Sequence, residues 1–156
     1  CWHIHHDFAF DTSASTVATH ALQALQLRRG VCQDFTHVMV ACLRSLGLPA
    51  RYVSGYLLTQ PPAGQPRLIG ADASHAWVQV YLPPPPSSPA GSAGQWWDFS
   101  PTNGRGPSDD FVVRGWGRDF SDVSPVRGVV QGGGQHHLTV AVTVRPVDAQ
   151  HRPLEP

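Results

Sequence analysis

The chain has 156 residues, zero net charge with neutral histidine and 41% hydrophobic residues. That is enough for one domain with a real core, and the charge balance calls for neither a nucleic-acid nor a membrane partner. Three cysteines, Cys1, Cys32 and Cys42, without a Cys-x-x-Cys pair, argue against a disulfide framework and a zinc ribbon. No apolar run is long enough to span a bilayer and no signal peptide is visible, which favours a cytoplasmic location. Because the chain starts at Cys1 rather than Met, residues 1–156 are expected to be a single domain excised from a longer protein.

Trp2 to Phe10 alternates loosely and predicts a strand or extended arm. Thr16 to Arg28 predicts a helix capped by Thr16 or Thr19, with Ala18, Leu22 and Leu25 as its stripe and Gly30 as its stop. Phe35, Val38, Met39, Cys42, Leu43 and Leu46 recur at helical spacing and form one continuous apolar face, closed by Gly47 and Pro49. Cys42, in the middle of that face, is expected to be a buried, inert thiol. Arg51 to Leu58 is rich in strand formers, and a loop over 59–73 follows. His75 to Leu82 alternates, with Ala76, Val78, Val80 and Leu82 on one face and His75, Trp77, Gln79 and Tyr81 on the other. A proline-rich stretch separates it from a strand at Gln95 to Phe99, and Ser100 to Gly104 is a turn sequence. Val112-Val113, Val126 to Val130 and His137 to Val147 predict further strands.

Cys32 stands where a loop turns into the clearest helix of the chain. Unpaired N–H groups and the positive end of the helix dipole there favour thiolate, as a nucleophile requires. If the tip of the following hairpin is centred on Pro83 to Ala90, His75 faces Asp98 across an antiparallel pair. The three residues then form one mechanism. Cys32 is the nucleophile, His75 the general base and later the acid, and Asp98 orients His75 and stabilises the imidazolium. A backbone N–H at Cys32 or its neighbour is a natural oxyanion donor.

Four ordered stretches carry a family pattern: Gly30-Val-Cys32-Gln-Asp34-Phe35, Leu46-Gly-Leu-Pro-Ala-Arg51-Tyr-Val-Ser-Gly55-Tyr, Ser74-His75-Ala-Trp77 and Trp97-Asp98-Phe-Ser-Pro101-Thr-Asn103. From about Thr16 to Asn103 the chain resembles the bacterial transglutaminase-like superfamily, whose members include cysteine proteases and peptide N-glycanases. Gly117 to Pro125 also looks like the bacterial branch. The resemblance implies an α+β, papain-like core in which the cysteine-bearing helix packs on an antiparallel sheet. It places the family's catalytic Cys, His and Asp on Cys32, His75 and Asp98, with no cofactor and a peptide or protein amide as substrate. Relatives in this branch usually carry an extra N-terminal β-rich region, which is not found in residues 1–156, and its absence there supports the expectation of a fragment.

The implied activity is acyl transfer through a Cys32 thioester, resolved by water in a protease or amidase and by an amine in a transglutaminase; hydrolysis is favoured. The competing class is a non-catalytic peptide-binding module that keeps the fold. Other residues have plainer readings. Asp34 supports the helix start, His37 packs toward the preceding helix, and Arg118, Asp119 and Asp122 form an ion-pair cluster near the cleft. Trp77, Trp96 and Trp97 either line the cleft or fill the core. His3, His5, His6, His136 and His137 have no carboxylate or cysteine at ligand spacing, so no metal is expected.

Overall fold

The helix that carries Cys32 organises the molecule. In the computed structural model, which describes residues 1–58, 74–124, 128–129, 131–135, 137 and 139–154, elements run in the order α1 (Trp2–Asp7), β1 (Ala9–Phe10), α2 (Ala21–Leu27), β2 (Arg29–Gly30), α3 (Cys32–Ser45), β3 (Ala50–Leu57), β4 (Ser74–Leu82), β5 (Gln95–Phe99) and β6 (Phe111–Gly117), followed by a 3₁₀ turn at Phe120–Asp122. Helix α3 buries Phe35, Val38 and Met39, as the helical spacing requires, together with Thr36 and Val40. It ends in a Schellman arrangement. Gly47 adopts φ +75°, its N–H bonds to the Arg44 carbonyl at 3.0 Å, and the Leu48 N–H bonds to the Leu43 carbonyl at 3.0 Å.

Helix α3 lies on an antiparallel four-stranded sheet of order β5-β4-β3-β6. Ala50, Val78 and Val80 meet the helix in one core with Ala24 of α2 and Ile4 of α1. Since side chains alternate across a strand, Arg51, Trp77, Gln79 and Asp98 stand on the opposite face. There the Arg51 guanidinium is held between the rings of Trp96 and Trp116, 4.1 and 4.0 Å from their centroids, while its Nε–H donates to Gln79 Oε1 at 2.8 Å. Strands β1 and β2 form a separate parallel pair that fixes the approach to α3.

Several expectations are corrected. Residues 2–7 are helical rather than extended, because Ile4 and Phe8 satisfy a four-residue repeat as well as alternation. Trp2 also stacks on His6 one turn away, with centroids 4.0 Å apart. Helix α2 begins at Ala21, not near Thr16. The Thr16 hydroxyl accepts from Ala18 N–H, the Thr19 hydroxyl accepts from Thr16 N–H, and these local bonds hold a turn in place of a helix start. Its buried residue is Ala24, whereas Leu22 and Leu25 are exposed. On α3 the apolar repeat outruns its partner surface, so Cys42 and Leu46 are exposed rather than core. Among the described residues from 128 to 154 no continuous strand forms, and bridge positions occur at Val142 and between Val147 and Pro153; residues 126, 127, 130 and 138 of the predicted strands lie outside the described residues. Alternation marks a segment able to pair, and a strand needs an available edge. The loop over 59–73 lies outside the described residues.

Because α2 approaches α3 through Ala24, which is fully buried, Ala24→Leu is expected to destabilise the chain by about 1–3 kcal/mol through overpacking. Leu22→Glu should change stability by less than about 0.5 kcal/mol. Urea denaturation of the two variants decides; the reverse ranking would restore the Leu22/Leu25 stripe.

Candidate active site

Cys32 is the first residue of α3, and a buried carboxylate sets its position. Asp34 accepts from the Val31 N–H at 2.8 Å and from the Ser15 hydroxyl at 2.6 Å. It is the third helical residue reaching back to the helix start, the carboxylate half of a capping box. Gly30 has φ +153°, and a Cβ built there would lie 2.4 Å from Asp34 Oδ2. A side chain at position 30 would displace the carboxylate, so Gly30, Cys32 and Asp34 form one structural unit. The sulfur packs with Tyr52, Ala76 and Val123 at the junction of α3, β3, β4 and the 3₁₀ turn. The backbone N–H groups of Ala76, Gln33 and Cys32 all act on it.

His75, the residue before Ala76, occupies the start of β4 directly opposite Gly55. Gly55 has no room for a side chain: a Cβ would lie 2.1 Å from the Val112 carbonyl and 2.6 Å from the Trp77 ring. The imidazole stacks on Trp77 with ring centroids 6.2 Å apart. Its Nε2 lies 3.0 Å from the Ser100 hydroxyl and 3.4 Å from the Asn103 side-chain amide. No hydrogen bond joins Cys32 to His75 among the described residues. The thiol packs beside Ala76, and His75 is the residue that precedes Ala76 on β4.

The expected His75–Asp98 pairing is not what the strands adopt. Asp98 faces Gln79, four residues further along β4. The connection contains two successive turns, in which Ser88 N–H bonds to the Pro85 carbonyl and Ser92 N–H to the Pro89 carbonyl, so its centre falls later than the proline run indicates. An even shift leaves Asp98 on the face of His75 and Trp77. Its Oδ1 accepts the Trp77 indole N–H at 2.5 Å, and its charge acts on Arg51. Asp98 thus reaches His75 through the indole stacked against it. The polar residues that contact the imidazole are Ser100 and Asn103, read in the sequence only as part of a turn. Strand parity was the available signal, since Ser100 shares the alternation of Asp98.

Burial dominates the electrostatics. It raises the Cys32 thiol above its ordinary value, and the three N–H groups only partly offset this. It lowers His75 to about 4. Both shifts favour the uncharged forms, whereas the helix start favours a thiolate. Burial also raises Tyr52, with the nearby Cys32 and Asp34 acting in the same direction.

Other singled-out residues have partners of their own. His37 is half-buried, its Nε2 accepts from Phe120 N–H at 3.1 Å, and its ring lies 5.0 Å from that of Tyr52. It lines a cavity of about 560 Å³ together with His20, Arg44 and Asp119. Neither Cys32 nor His75 lines this cavity. Arg118 pairs with Asp122 at 3.0 Å, and Asp119 caps the 3₁₀ turn through Ser121 N–H.

The family model for the transglutaminase-like superfamily matches residues 2–101, a span that includes the helix, His75 and the turn entrance. The chain belongs to the transglutaminase-like superfamily. An uncharacterized protein of Mycobacterium tuberculosis (strain ATCC 25618 / H37Rv) is 41% identical over 151 residues, covering 95% of this chain and 46% of that protein. The chain therefore spans about half the length of this curated relative. A protein-glutamine gamma-glutamyltransferase of Pseudomonas aeruginosa is 35% identical over 78 residues, 49% of this chain and 9% of that protein. A crystal structure from Cytophaga hutchinsonii, named "Putative Cysteine Protease", aligns with TM-score 0.59 and 26% identity over 78% of this chain and 35% of its own. These likenesses agree with the α+β, papain-like arrangement of a helix on an antiparallel sheet. They support a cysteine enzyme of thiol-dependent acyl transfer as the general chemistry. No helix among the described residues is long and apolar enough to cross a membrane.

Two outcomes follow. Gly30→Ala should destabilise the chain by about 2 kcal/mol or more, through a disfavoured φ and the clash with Asp34; an unchanged urea midpoint would dissolve the Gly30–Asp34 unit. For His75, the folded value of about 4 lies below the ordinary 6.5. Between them the unfolded chain binds more protons, so stability falls as pH drops through this window. Urea denaturation at several pH values should show that slope in the parent chain and a reduced slope in His75→Gln. Equal slopes would show that His75 is not buried as a neutral group.

Proposed function

We propose that this chain catalyses acyl transfer at a peptide or glutamine-type amide through a thioester on Cys32. The observation that carries this reading is a thiol at the N-terminus of α3, packed beside Ala76, with the adjoining residue His75 held in a defined orientation. In the proposed reaction the sulfur attacks the amide carbonyl carbon while its proton passes to His75. In this reading the Nε2–H donates to the Ser100 hydroxyl, which leaves Nδ1 as the nitrogen for this transfer. The tetrahedral oxyanion is stabilised by backbone N–H groups at the start of α3, those of Cys32 or Gln33. His75 then returns the proton to the leaving nitrogen, the C–N bond breaks, and ammonia or an amine departs. Water or a second amine gives a proton to His75 and attacks the thioester carbon, the C–S bond breaks, and His75 returns the proton to the departing sulfur to regenerate the thiol.

Asp98 is proposed as a third, indirect contributor that fixes the Trp77 indole behind His75. Hydrolysis is the favoured resolution, making the chain a cysteine protease or amidase; amine resolution makes it a transamidase. A library of glutamine-containing peptides incubated with a primary amine, with mass detection of both deamidated or cleaved and amine-bearing products, separates the two. Cys32→Ala should abolish turnover. His75→Ala should lower it by about 10²–10⁴-fold, and Asp98→Ala by about tenfold or less. Turnover that survives Cys32→Ala would sink the thioester.

A further inference from the structure

We propose that Ser100 is the positioning residue for His75, its buried hydroxyl standing where a nucleophile–base–carboxylate triad would place an acid. This rests on the reading of Cys32 and His75 as nucleophile and base, and it replaces the carboxylate expected from the hairpin register. The hydroxyl lies 3.0 Å from His75 Nε2, and Ser100 is fully buried.

The backbone of Ser100 is held from several sides. Its N–H bonds to the Arg105 carbonyl at 2.8 Å, the Arg105 N–H returns a bond at 3.1 Å, and the Cys1 thiol donates to the Ser100 carbonyl at 3.3 Å. The Asn103 N–H reaches the hydroxyl itself at 3.4 Å. From α1, His5 Nδ1 lies 2.8 Å from the Thr102 carbonyl and packs over Gly104. A turn anchored in this way holds a short side chain at a fixed point, as an imidazole requires to keep one orientation.

The neighbouring carboxylates have other partners. Asp98 holds Trp77 and faces Arg51, Asp34 holds Val31 and Ser15, and Asp110 pairs with Arg105. The polar groups within reach of the imidazole are the Ser100 hydroxyl and the Asn103 side-chain amide, both from the turn. Burial lowers His75, and no charged group among the described residues offsets it.

A hydroxyl and a carboxylate do different work. Either accepts the Nε2–H and so keeps the Nδ1 lone pair free for the Cys32 proton. Only the carboxylate also stabilises the imidazolium by charge. With Ser100 in place, the thiol and imidazole rest uncharged, and the thiolate forms only as its proton moves to His75 during attack.

The test compares the chain with Ser100→Ala, Ser100→Thr and Ser100→Asp. Nitrogen NMR of His75 reads its tautomer and titration, and iodoacetamide alkylation of Cys32 is followed against pH. Ser100→Ala should give a mixture of imidazole tautomers and alkylation about tenfold slower near neutral pH. Ser100→Thr should restore both, because it keeps the hydroxyl. Ser100→Asp should raise the His75 titration by about one to three pH units and speed alkylation by about tenfold per unit. A single unchanged tautomer in folded Ser100→Ala overturns the proposal, and so does wild-type titration of His75 in Ser100→Asp. If Ser100→Asp does not fold, the alanine and threonine variants decide. Cys32 alkylation unchanged by His75→Ala would instead remove the nucleophile–base reading, while the tautomer measurement still judges Ser100.

Discussion

The Asp34 carboxylate beneath Gly30 is the contact on which the candidate site depends. Asp34 is almost fully buried, and its Oδ2 gathers the Val31 N–H and the Ser15 hydroxyl. Hydrogen bonds to a charged group contribute about 1.5–3 kcal/mol each, more than a neutral pair. Here they tie the entering loop, the segment before α2 and the first turn of α3 to one point. Cys32 lies between the two ends of this clamp. Its direction is therefore set before the sheet contributes anything, and the absence of a side chain at Gly30 makes the arrangement sterically feasible.

The sheet supplies the second half of the site. Strand β4 places Ala76 on the helix side and His75 on the other, so one peptide unit links the group beside the sulfur to the proposed base. Gly55 opposite His75 leaves space for the Trp77 ring, and Trp77 in turn backs the imidazole. These contacts exclude water, which opposes charge on both Cys32 and His75. In the proposed reaction, an uncharged thiol and imidazole are less reactive at rest than an ion pair. Such groups lose less solvation when a substrate covers them, and proton transfer coupled to attack, as proposed, would create charge only where backbone N–H groups can meet it.

Much of this was legible in the sequence, and the failures share a cause. Helix α3 was readable because its apolar repeat is long and its glycine stop is placed correctly; strands β3, β4 and β5 were readable from β-branched and aromatic runs between turn residues. The opening segment misled because Ile4 and Phe8 fit two periods at once. Leu22, Leu25, Cys42 and Leu46 misled because periodicity shows which residues share a side, not how far the covering surface extends. Residues 137 to 147 alternate, and alternation shows only that a segment is able to pair.

The sequence by itself determined the family, the α+β class, the Cys32 helix start and the choice of His75 as the base to examine. Those depend on local spacing, capping and ordered motifs, which are properties of short stretches. Tertiary structure decided which group touches His75. A connection with two turns moved Asp98 by four residues along β4, onto Trp77, and left the Ser100 hydroxyl at the imidazole. It also decided that burial outweighs the helix start in setting the charge of Cys32. Strand register and desolvation are sums over residues distant in the chain, and no local pattern encodes them.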